Sequence, residues 1–433
     1  MTILSRALAT CSVAVGLGAG AQVAAGQSTT PSQGAAVTWA ERVAIAERYK
    51  VAAITQRRFT HQQFWRAVGP SLAGGRFAVA TVGQSMQGRE LRTVTFGTGA
   101  TKIFLWSQMH GDEATATMAL ADIFAFFASA EPSALRDRIA RGATVTFLPM
   151  LNPDGAEIFQ RENAAGIDIN RDVRRLSSPE ARTLKAVRDR IEPHFGFNLH
   201  DQGARTRAGN GQQAAIALLP PAADEPKSYG QVRTKARHVA AWLALDFANA
   251  LGGRIAKYDD TFNPRAFGDL MQAWGTSTVL IESGALVGDP QKQMLRTYNA
   301  AAILGVLEAI ATGAYERADP RAYESLPFNR GGAYDLLVTG ASVVIPGVGV
   351  SRNDVAINFD DSVARTGGHI REMGDLEAVV ALDTMNLTGR FLHPAPDAMT
   401  VTGGTRWLTI GAPARFVIRE SADPASREVG RIP

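Results

Sequence analysis

Short apolar runs alternate with helical patterns along the first three-quarters of the chain. Runs rich in β-branched and aromatic residues predict strands over residues 77–82, 91–96, 103–106, 143–150, 195–199, 214–219 and 277–281. Three-and-four spacing of apolar residues predicts helices between them, most clearly over residues 113–128, 235–251 and 296–312. Strands that are apolar throughout are buried on both faces, so the pattern predicts an α/β fold with helices on both sides of a sheet.

The pattern changes after a polar stretch that ends near Gly332. Short strand-like segments follow over residues 335–344, 354–359, 369–373 and 407–418, and they predict a small all-β domain. We therefore divide the chain into a leader (1–25), a flexible tether (26–40), a large domain (41–318), a linker (319–332) and the β-domain (333–433).

The leader has the composition of a secretory signal peptide. Arg6 is the only charge before an apolar run of small residues, and Val23, Ala24 and Ala25 offer a cleavage site. A membrane anchor is the alternative, but the run is weakly hydrophobic for a span. We expect export to the periplasm or the extracellular space, with no stable membrane insertion after cleavage. The single cysteine, Cys11, lies in the leader, so the mature protein is expected to depend on its core rather than on disulfides.

Composition leaves the function open. Hydrophobic residues make up 45% and charged residues 20% of the 433 positions, which is typical of a globular protein. The net charge is +4 from 45 basic and 41 acidic residues, and no block of like charge predicts a nucleic-acid surface.

Two histidines stand where predicted strands end. His110 and Glu113 follow the strand at 103–106, and His200 follows the strand at 195–199. Side chains at the carboxyl ends of strands are the usual site-forming positions of α/β sheets, and two histidines with one glutamate are a common catalytic zinc set. The pair of His110 and Glu113 and the single His200 are each a weak signal alone, since a lone His-x-x-Glu often arises by chance. The other five histidines have no partner at ligand spacing, and we interpret them as structural: His61, His194, His238, His369 and His393.

With these residues the chain resembles the zinc carboxypeptidase family, and the resemblance runs from about residue 54 to Gly313. Five motifs occur in the family's order: 83–89, 110–113, 152–172, His200 and 278–284. The longest, from Asn152 to Asp172, is the most specific. The resemblance implies a mixed β-sheet flanked by helices on both faces and one Zn²⁺ per chain.

The resemblance also implies a role for each site residue. His110, Glu113 and His200 would hold the zinc, and the carboxylate of Asp168 would orient the His110 ring without itself binding the metal. Glu282 would take a proton from a zinc-bound water, and Arg161 would stabilise the resulting oxyanion. Asn170 and Arg171 would bind the terminal carboxylate of a peptide substrate. Arg171 has a competing interpretation as one of several surface arginines, with Arg174 and Arg175 close by.

The sequence departs from the pancreatic enzymes of the family at two places. Asp112 stands where those enzymes have a substrate-binding arginine. The segment before Glu282 is too short for their mobile tyrosine, so Tyr258 or Arg265 is a candidate for that role. The preferred C-terminal residue is therefore not transferable from the family.

Four functions remain open from the sequence. A metallocarboxypeptidase acting on C-terminal peptide bonds comes first. The same zinc site could serve a peptidoglycan stem-peptide hydrolase or amidase, or a zinc-dependent deacylase. A non-catalytic peptide- or glycan-binding protein is the fourth. Segments of the β-domain, such as 368–374 and 408–414, are similar to the small β-sandwich of amidohydrolases, and we expect this domain to be accessory.

Overall fold

The computed structural model describes residues 35–432, which form one compact unit from Val37 onward. The predicted signal peptide and most of the predicted tether lie outside these residues. Within them, Thr38 caps the first helix by accepting a hydrogen bond from the backbone N–H of Glu41, so the last residues of the predicted tether are already ordered.

An eight-stranded mixed sheet organises the first three-quarters of the protein. Its strands follow one another in space as β1–β2–β4–β3–β5–β9–β7–β8, and β3, β4, β5 and β9 pair in parallel. A separate short strand, β6, pairs with the later strand β10. The ten strands are β1 Ala78–Gln84, β2 Glu90–Phe96, β3 Thr101–Ser107, β4 Ala143–Leu148, β5 Phe195–Asp201, β6 Arg207–Ala208, β7 Ile216–Leu219, β8 Ile255–Lys257, β9 Ser277–Ser283 and β10 Asn329–Arg330.

Helices cover both faces of this sheet, as predicted. On β3, Ile103 and Leu105 point into a large core with α1, α2, α3, α4, α7 and α9, while Phe104 and Trp106 point into a smaller core with α6 and α8. Alternation of side chains along a strand therefore places every second residue of the central strands on each face. The helices are α1 Trp39–Arg48, α2 His61–Leu72, α3 Thr115–Ala128, α4 Ala134–Gly142, α5 Pro153–Ile158, α6 Pro179–Ile191, α7 Gln231–Leu251, α8 Phe267–Ala273, α9 Gln293–Thr312 and α10 Arg321–Glu324.

The C-terminal quarter is all β, which confirms that prediction. A four-stranded sheet (β15–β14–β11–β16) and a five-stranded sheet (β13–β12–β17–β20–β21) bury a common core that includes Ile357 and Phe416. The strands are β11 Leu336–Thr339, β12 Ser342–Ile345, β13 Gly349–Arg352, β14 Asp354–Asp361, β15 Thr366–Gly374, β16 Thr384–Asn386, β17 Phe391–Pro394, β18 Thr400–Thr402, β19 Thr405–Trp407, β20 Phe416–Arg419 and β21 Glu428–Ile432.

The predicted strand-like segment over residues 335–344 is divided into β11 and β12, and the prediction of a continuous strand-like segment over residues 407–418 was wrong. Only its ends are strand, in β19 and β20, and the residues between them form a loop in which Gly411 has a positive φ of 87°. Apolar composition without strict alternation misled the prediction there. Residues 314–332, expected as a polar connection, contain α10 packed on α7 and β10 paired with β6.

Helix α9 is a core element. By length and composition alone it is apolar enough to cross a membrane, but 83% of that stretch is buried inside the protein. Its Arg296 donates two hydrogen bonds to Asp122 of α3, from Nε at 2.7 Å and from Nη2 at 2.5 Å. Both side chains are almost fully buried, so this ion pair fixes α3, the helix that follows Glu113, against α9.

Removing Asp122 should therefore destabilise the whole sheet domain. Asp122→Ala leaves the Arg296 guanidinium buried without its carboxylate, and we expect a loss of about 3–5 kcal/mol in the free energy of unfolding. The control is Asp319→Ala, which breaks a solvent-exposed pair with Arg321 and should leave the free energy of unfolding almost unchanged. Urea unfolding followed by circular dichroism measures both, and equal losses in the two variants would contradict the assignment.

Candidate active site

His200 and Glu282 lie side by side on neighbouring parallel strands. His200 of β5 is the register partner of Glu282 of β9. The residues before them, Leu199 and Ile281, point into the large core. His200 and Glu282 therefore point to the opposite face, at the carboxyl edge of the sheet.

His110 and Glu113 stand on the turn between β3 and α3. The turn is closed by a hydrogen bond from the Glu113 N–H to the His110 carbonyl (3.1 Å), and the helix begins two residues later, at Thr115. The turn also packs tightly on the segment that starts at Asn152. A Cβ atom at Gly111 would lie 2.1 Å from the carbonyl carbon of Gly155, so only glycine permits this approach.

The three predicted metal ligands converge. Nδ1 of His110 lies 2.8 Å from Oε1 of Glu113, and Nδ1 of His200 lies 2.7 Å from Oε2 of the same carboxylate. The two Nδ1 atoms are 3.2 Å apart. All three side chains are buried, and their ligand atoms lie within 4.8 Å of one another. Among residues 35–432 this is the group of His, Cys, Asp and Glu side chains that could hold a metal ion.

The donor set fits a tetrahedral zinc ion. Two Zn–N bonds of about 2.0–2.1 Å at a tetrahedral angle place the nitrogens roughly 3.3 Å apart. The observed separation of 3.2 Å between the imidazole nitrogens is close to that value. Two histidines and one glutamate also leave a fourth position for water or substrate, as catalytic zinc sites require.

The pKa values of His110, Glu113 and His200 depend on one another. Burial by itself raises the pKa of Glu113, but the neighbouring imidazoles of His110 and His200 outweigh it and hold that pKa well below its usual range. Burial opposes protonation of His110, yet the charge of Glu113 and the hydrogen bonds from Asp168 and Glu113 raise its pKa to about 9. Burial keeps the pKa of His200 below its ordinary value. Without a metal, a proton on His110 and the guanidinium of Arg161, whose Nη1 atom is 3.4 Å from Oε1 of Glu113, place positive charge beside the Glu113 carboxylate.

Asp168, which the sequence suggested as the residue that orients His110, lies behind that imidazole. Its Oδ1 atom is 3.1 Å from Nε2 of His110, which fixes a proton on Nε2 and leaves Nδ1 to face the ligand cluster. Its Oδ2 atom accepts hydrogen bonds from Arg161, from Nε at 3.1 Å and from Nη2 at 2.9 Å. Nη1 of Arg161 is 3.4 Å from Oε1 of Glu113, so Asp168 holds this guanidinium at the edge of the cluster.

Asn170 and Arg171 lie on one short 3₁₀ turn that Asp168 caps. The Asp168 carboxylate accepts the N–H of Asn170 at 2.9 Å. Oδ1 of Asn170 accepts the N–H of Phe267, also at 2.9 Å, so this amide fastens the start of α8. Arg171 lines a cavity of about 890 Å³ that also has Asp168 in its wall. Arg171 is thus exposed to a ligand in the cavity, whereas the oxygen of Asn170 is already engaged.

The side chain of Glu282 is half-buried and forms no hydrogen bond with the described residues. Burial, followed by the charge of Glu113, raises its pKa well above the ordinary value. Tyr258 approaches on the same face, because Ala217 pairs with both Glu282 and Ala256, and Tyr258 stands two residues beyond Ala256. Burial and the charge of Glu282 raise the pKa of Tyr258, which keeps its hydroxyl protonated.

A buried ion pair behind the ligands was not predicted. Asp201 accepts hydrogen bonds from Thr115 at 2.6 Å and from Nζ of Lys292 at 2.9 Å, and its own N–H donates to Glu113 at 3.1 Å. Asp201 was visible next to His200, but Lys292 lies 91 residues away and no local pattern points to it. The pair fixes the backbone that carries His200.

The remaining histidines make ordinary hydrogen bonds with the backbone. These five residues are His61, His194, His238, His369 and His393. Asp112, in place of the family arginine, is half-buried, and burial together with the charge of Glu113 raises its pKa.

Comparison with known proteins supports the zinc carboxypeptidase resemblance for part of the chain. Residues 73–210 match the model of a family described as zinc carboxypeptidase, just under a third of the sequence. The match includes most of the predicted site but ends before Glu282. The predicted site residues that lie within the matched range are His110, Glu113, Arg161, Asp168, Asn170, Arg171 and His200.

Individual relatives match over shorter stretches. Carboxypeptidase 2 of Trichophyton tonsurans and that of Trichophyton rubrum are each 28% identical over 102 residues, which is 23% of this chain and 19% of theirs. The chain thus spans about a fifth of the length of these curated relatives.

Among solved structures, the chain matches a metallo-carboxypeptidase from Burkholderia cenocepacia and the carboxypeptidase A from Helicoverpa armigera. The first has a TM-score of 0.47 at 15% identity and covers 60% of this chain and 69% of its own. The second has a TM-score of 0.46 at 14% identity, over 64% and 81% respectively.

Metal binding should release a proton from His110. With its pKa raised to about 9, His110 is protonated in the metal-free protein at neutral pH, and Nδ1 must lose that proton to bind a metal. We expect the apparent zinc affinity to rise about tenfold per pH unit between about pH 6 and pH 8. Chelator competition at several pH values measures the slope. His369→Ala, in the β-domain, should leave it unchanged, and a flat affinity over this range would contradict the assignment.

Proposed function

We propose that the protein is a zinc-dependent carboxypeptidase that hydrolyses the last peptide bond of its substrate. The observation that carries the proposal is the convergence of His110, Glu113 and His200 next to Glu282, with the Arg171 cavity adjoining. The family-model match over residues 73–210 supports the metal and the reaction class. His110, Glu113 and His200 would hold the ion.

Glu282 would act as the general base. A bound zinc ion lowers the pKa of water from about 15.7 to about 7 and polarises a carbonyl. Glu282 then accepts a proton from the attacking water and passes it to the amine nitrogen as the C–N bond breaks. Its carboxylate is suited to this task because it forms no hydrogen bond with a described residue. Burial also makes it more basic than an ordinary glutamate.

Arg161 would stabilise negative charge on the carbonyl oxygen. Asp168 holds two of its nitrogens, which leaves Nη1 directed at the ligand cluster. A guanidinium fixed in this way needs no reorganisation as charge develops, which is the condition for effective electrostatic stabilisation. Asp168 would therefore serve both His110 and Arg161.

Arg171 would recognise the terminal carboxylate. Its planar guanidinium matches a carboxylate through two parallel hydrogen bonds, and it lines the cavity that begins at Asp168. Asn170 would act on this site by fastening the start of α8 through Phe267. Tyr258, protonated and on the face of Glu282, is the best-placed candidate for the role of the missing mobile tyrosine.

A peptidoglycan stem peptide is the second candidate substrate. Its several carboxylates suit the arginines of the cavity, and the leader predicts export to the compartment where such peptides occur. This alternative uses the same zinc site and the same base.

Peptides with free and with amidated C-termini test the proposal. Incubation with the zinc-loaded protein should remove single residues from the free peptides only, because Arg171 needs a carboxylate. Glu282→Gln should lower kcat about 10²–10⁴-fold without loss of zinc, since it removes only the base. Mass spectrometry of the products measures both effects.

The control variant is Glu225→Gln, which changes an exposed glutamate and should retain full activity. Equal cleavage of amidated peptides would contradict the role of Arg171. Full activity of Glu282→Gln would contradict the proposed mechanism.

A further inference from the structure

Four arginines line the cavity beside the candidate zinc site. Arg171, Arg174 and Arg175 come from the segment after Asp168, and Arg265 comes from the loop before α8. The cavity has a volume of about 890 Å³, enough for an amino-acid side chain with room to spare.

None of these four guanidinium groups forms an ion pair with another residue in the range 35–432. The side chain of Arg171 donates only to the carbonyl of its neighbour Asn170, at 2.8 Å. The two carboxylates in the cavity wall are already used. Asp168 binds His110 and Arg161, and Asp172 accepts the N–H groups of Ser177 and Ser178. The cavity therefore has an excess of positive charge.

A solvated patch of surface arginines is the simpler explanation, but the loop that carries Arg265 is held in place. Asp269 accepts the N–H of Asn263 at 2.8 Å, and Asn263 accepts the N–H of Arg265 at 3.0 Å. The bond from Phe267 N–H to Asn170 then ties this loop to the Arg171 segment. Two segments distant in sequence are thus fastened together with their arginines around one cavity.

The cavity begins one side chain away from the metal ligands. Asp168 is in its wall and contacts Nε2 of His110, so the cavity and the candidate zinc site share this side chain. Under the proposed function, the last residue of the substrate would occupy this space. Arg171 would bind the terminal carboxylate of the substrate. Three guanidinium groups then remain without a partner.

We infer that the protein selects substrates whose C-terminal residue carries a second carboxylate on its side chain, bound by Arg174, Arg175 and Arg265. This inference rests on the proposed function for the orientation of the substrate. Two sources share the chemistry: glutamate or aspartate at the end of a protein-derived peptide, and diaminopimelate at the end of a cell-wall stem peptide.

Substrates that differ in one charge test the inference. Two peptides that end in glutamate or in glutamine have nearly the same size, and we expect kcat/KM to favour glutamate by about 10- to 100-fold. Arg265→Gln and the double variant Arg174→Gln/Arg175→Gln should each bring this ratio toward one. Arg141→Gln, an exposed arginine on α4 outside the cavity, is the matched control and should keep the ratio.

A binding measurement separates this inference from the proposed activity. N-acetylglutamate has two carboxylates and N-acetylglutamine has one, and calorimetric titration into the zinc-loaded protein compares their affinities without turnover. At least tenfold tighter binding of N-acetylglutamate, reduced in Arg265→Gln, supports the inference even if no peptide is cleaved. Equal binding of the two compounds, or a preference that survives in both arginine variants, overturns it.

A third pair of compounds distinguishes the two possible sources of the substrate. Matched short peptides that end in glutamate or in diaminopimelate both supply the second carboxylate, and the faster of the two identifies the source. Cleavage of neither, together with efficient cleavage of peptides ending in leucine or lysine, overturns the inference.

Discussion

The site depends on one constraint, which is that the buried carboxylate of Glu113 must be balanced by positive charge. An imidazole lies on either side of this carboxylate, and the charge of Glu113 raises the pKa of His110 to about 9, which favours a proton on His110 in the metal-free protein. A divalent cation at the same place would satisfy Glu113 and both nitrogens at once. The surrounding structure serves to hold these three groups together: a sheet edge for His200, a glycine-packed turn for His110 and Glu113, and the Asp201–Lys292 pair behind them.

The candidate zinc site and the adjoining cavity carry charges of opposite sign. Four carboxylates, those of Asp112, Glu113, Asp168 and Glu282, lie in or beside the candidate zinc site and favour binding of a cation there. The cavity that begins at Asp168 is lined by arginines and attracts anions. Arg161 and Asp168 form the boundary, paired with each other while each faces one side. The substrate proposed above, with a neutral scissile bond and an anionic end, would match this arrangement.

Much of the candidate site could be predicted from the sequence, because its residues lie at the ends of strands. Parallel strands end at the same edge of a sheet, so His110 and His200 could be placed together from two apolar runs. The β-domain was recognised from short strands between turn residues. Helices α1 and α2 were not predicted, although Thr38 with Glu41 and Thr60 with Gln63 form capping boxes that are visible in the sequence. The Lys292 contact and the Arg265 loop could not be predicted, because each depends on a meeting between segments about ninety residues apart that no local pattern records.

Diffraction from zinc-soaked crystals at the zinc absorption edge tests the central claim most directly. The account predicts one anomalous peak per chain, bound by Nδ1 of His110, Nδ1 of His200 and the carboxylate of Glu113, with Nε2 of His110 still bonded to Asp168. The absence of a peak at this position would contradict the account. So would a zinc ion bound through Nε2 of His200, a buried atom that bonds to no other described residue.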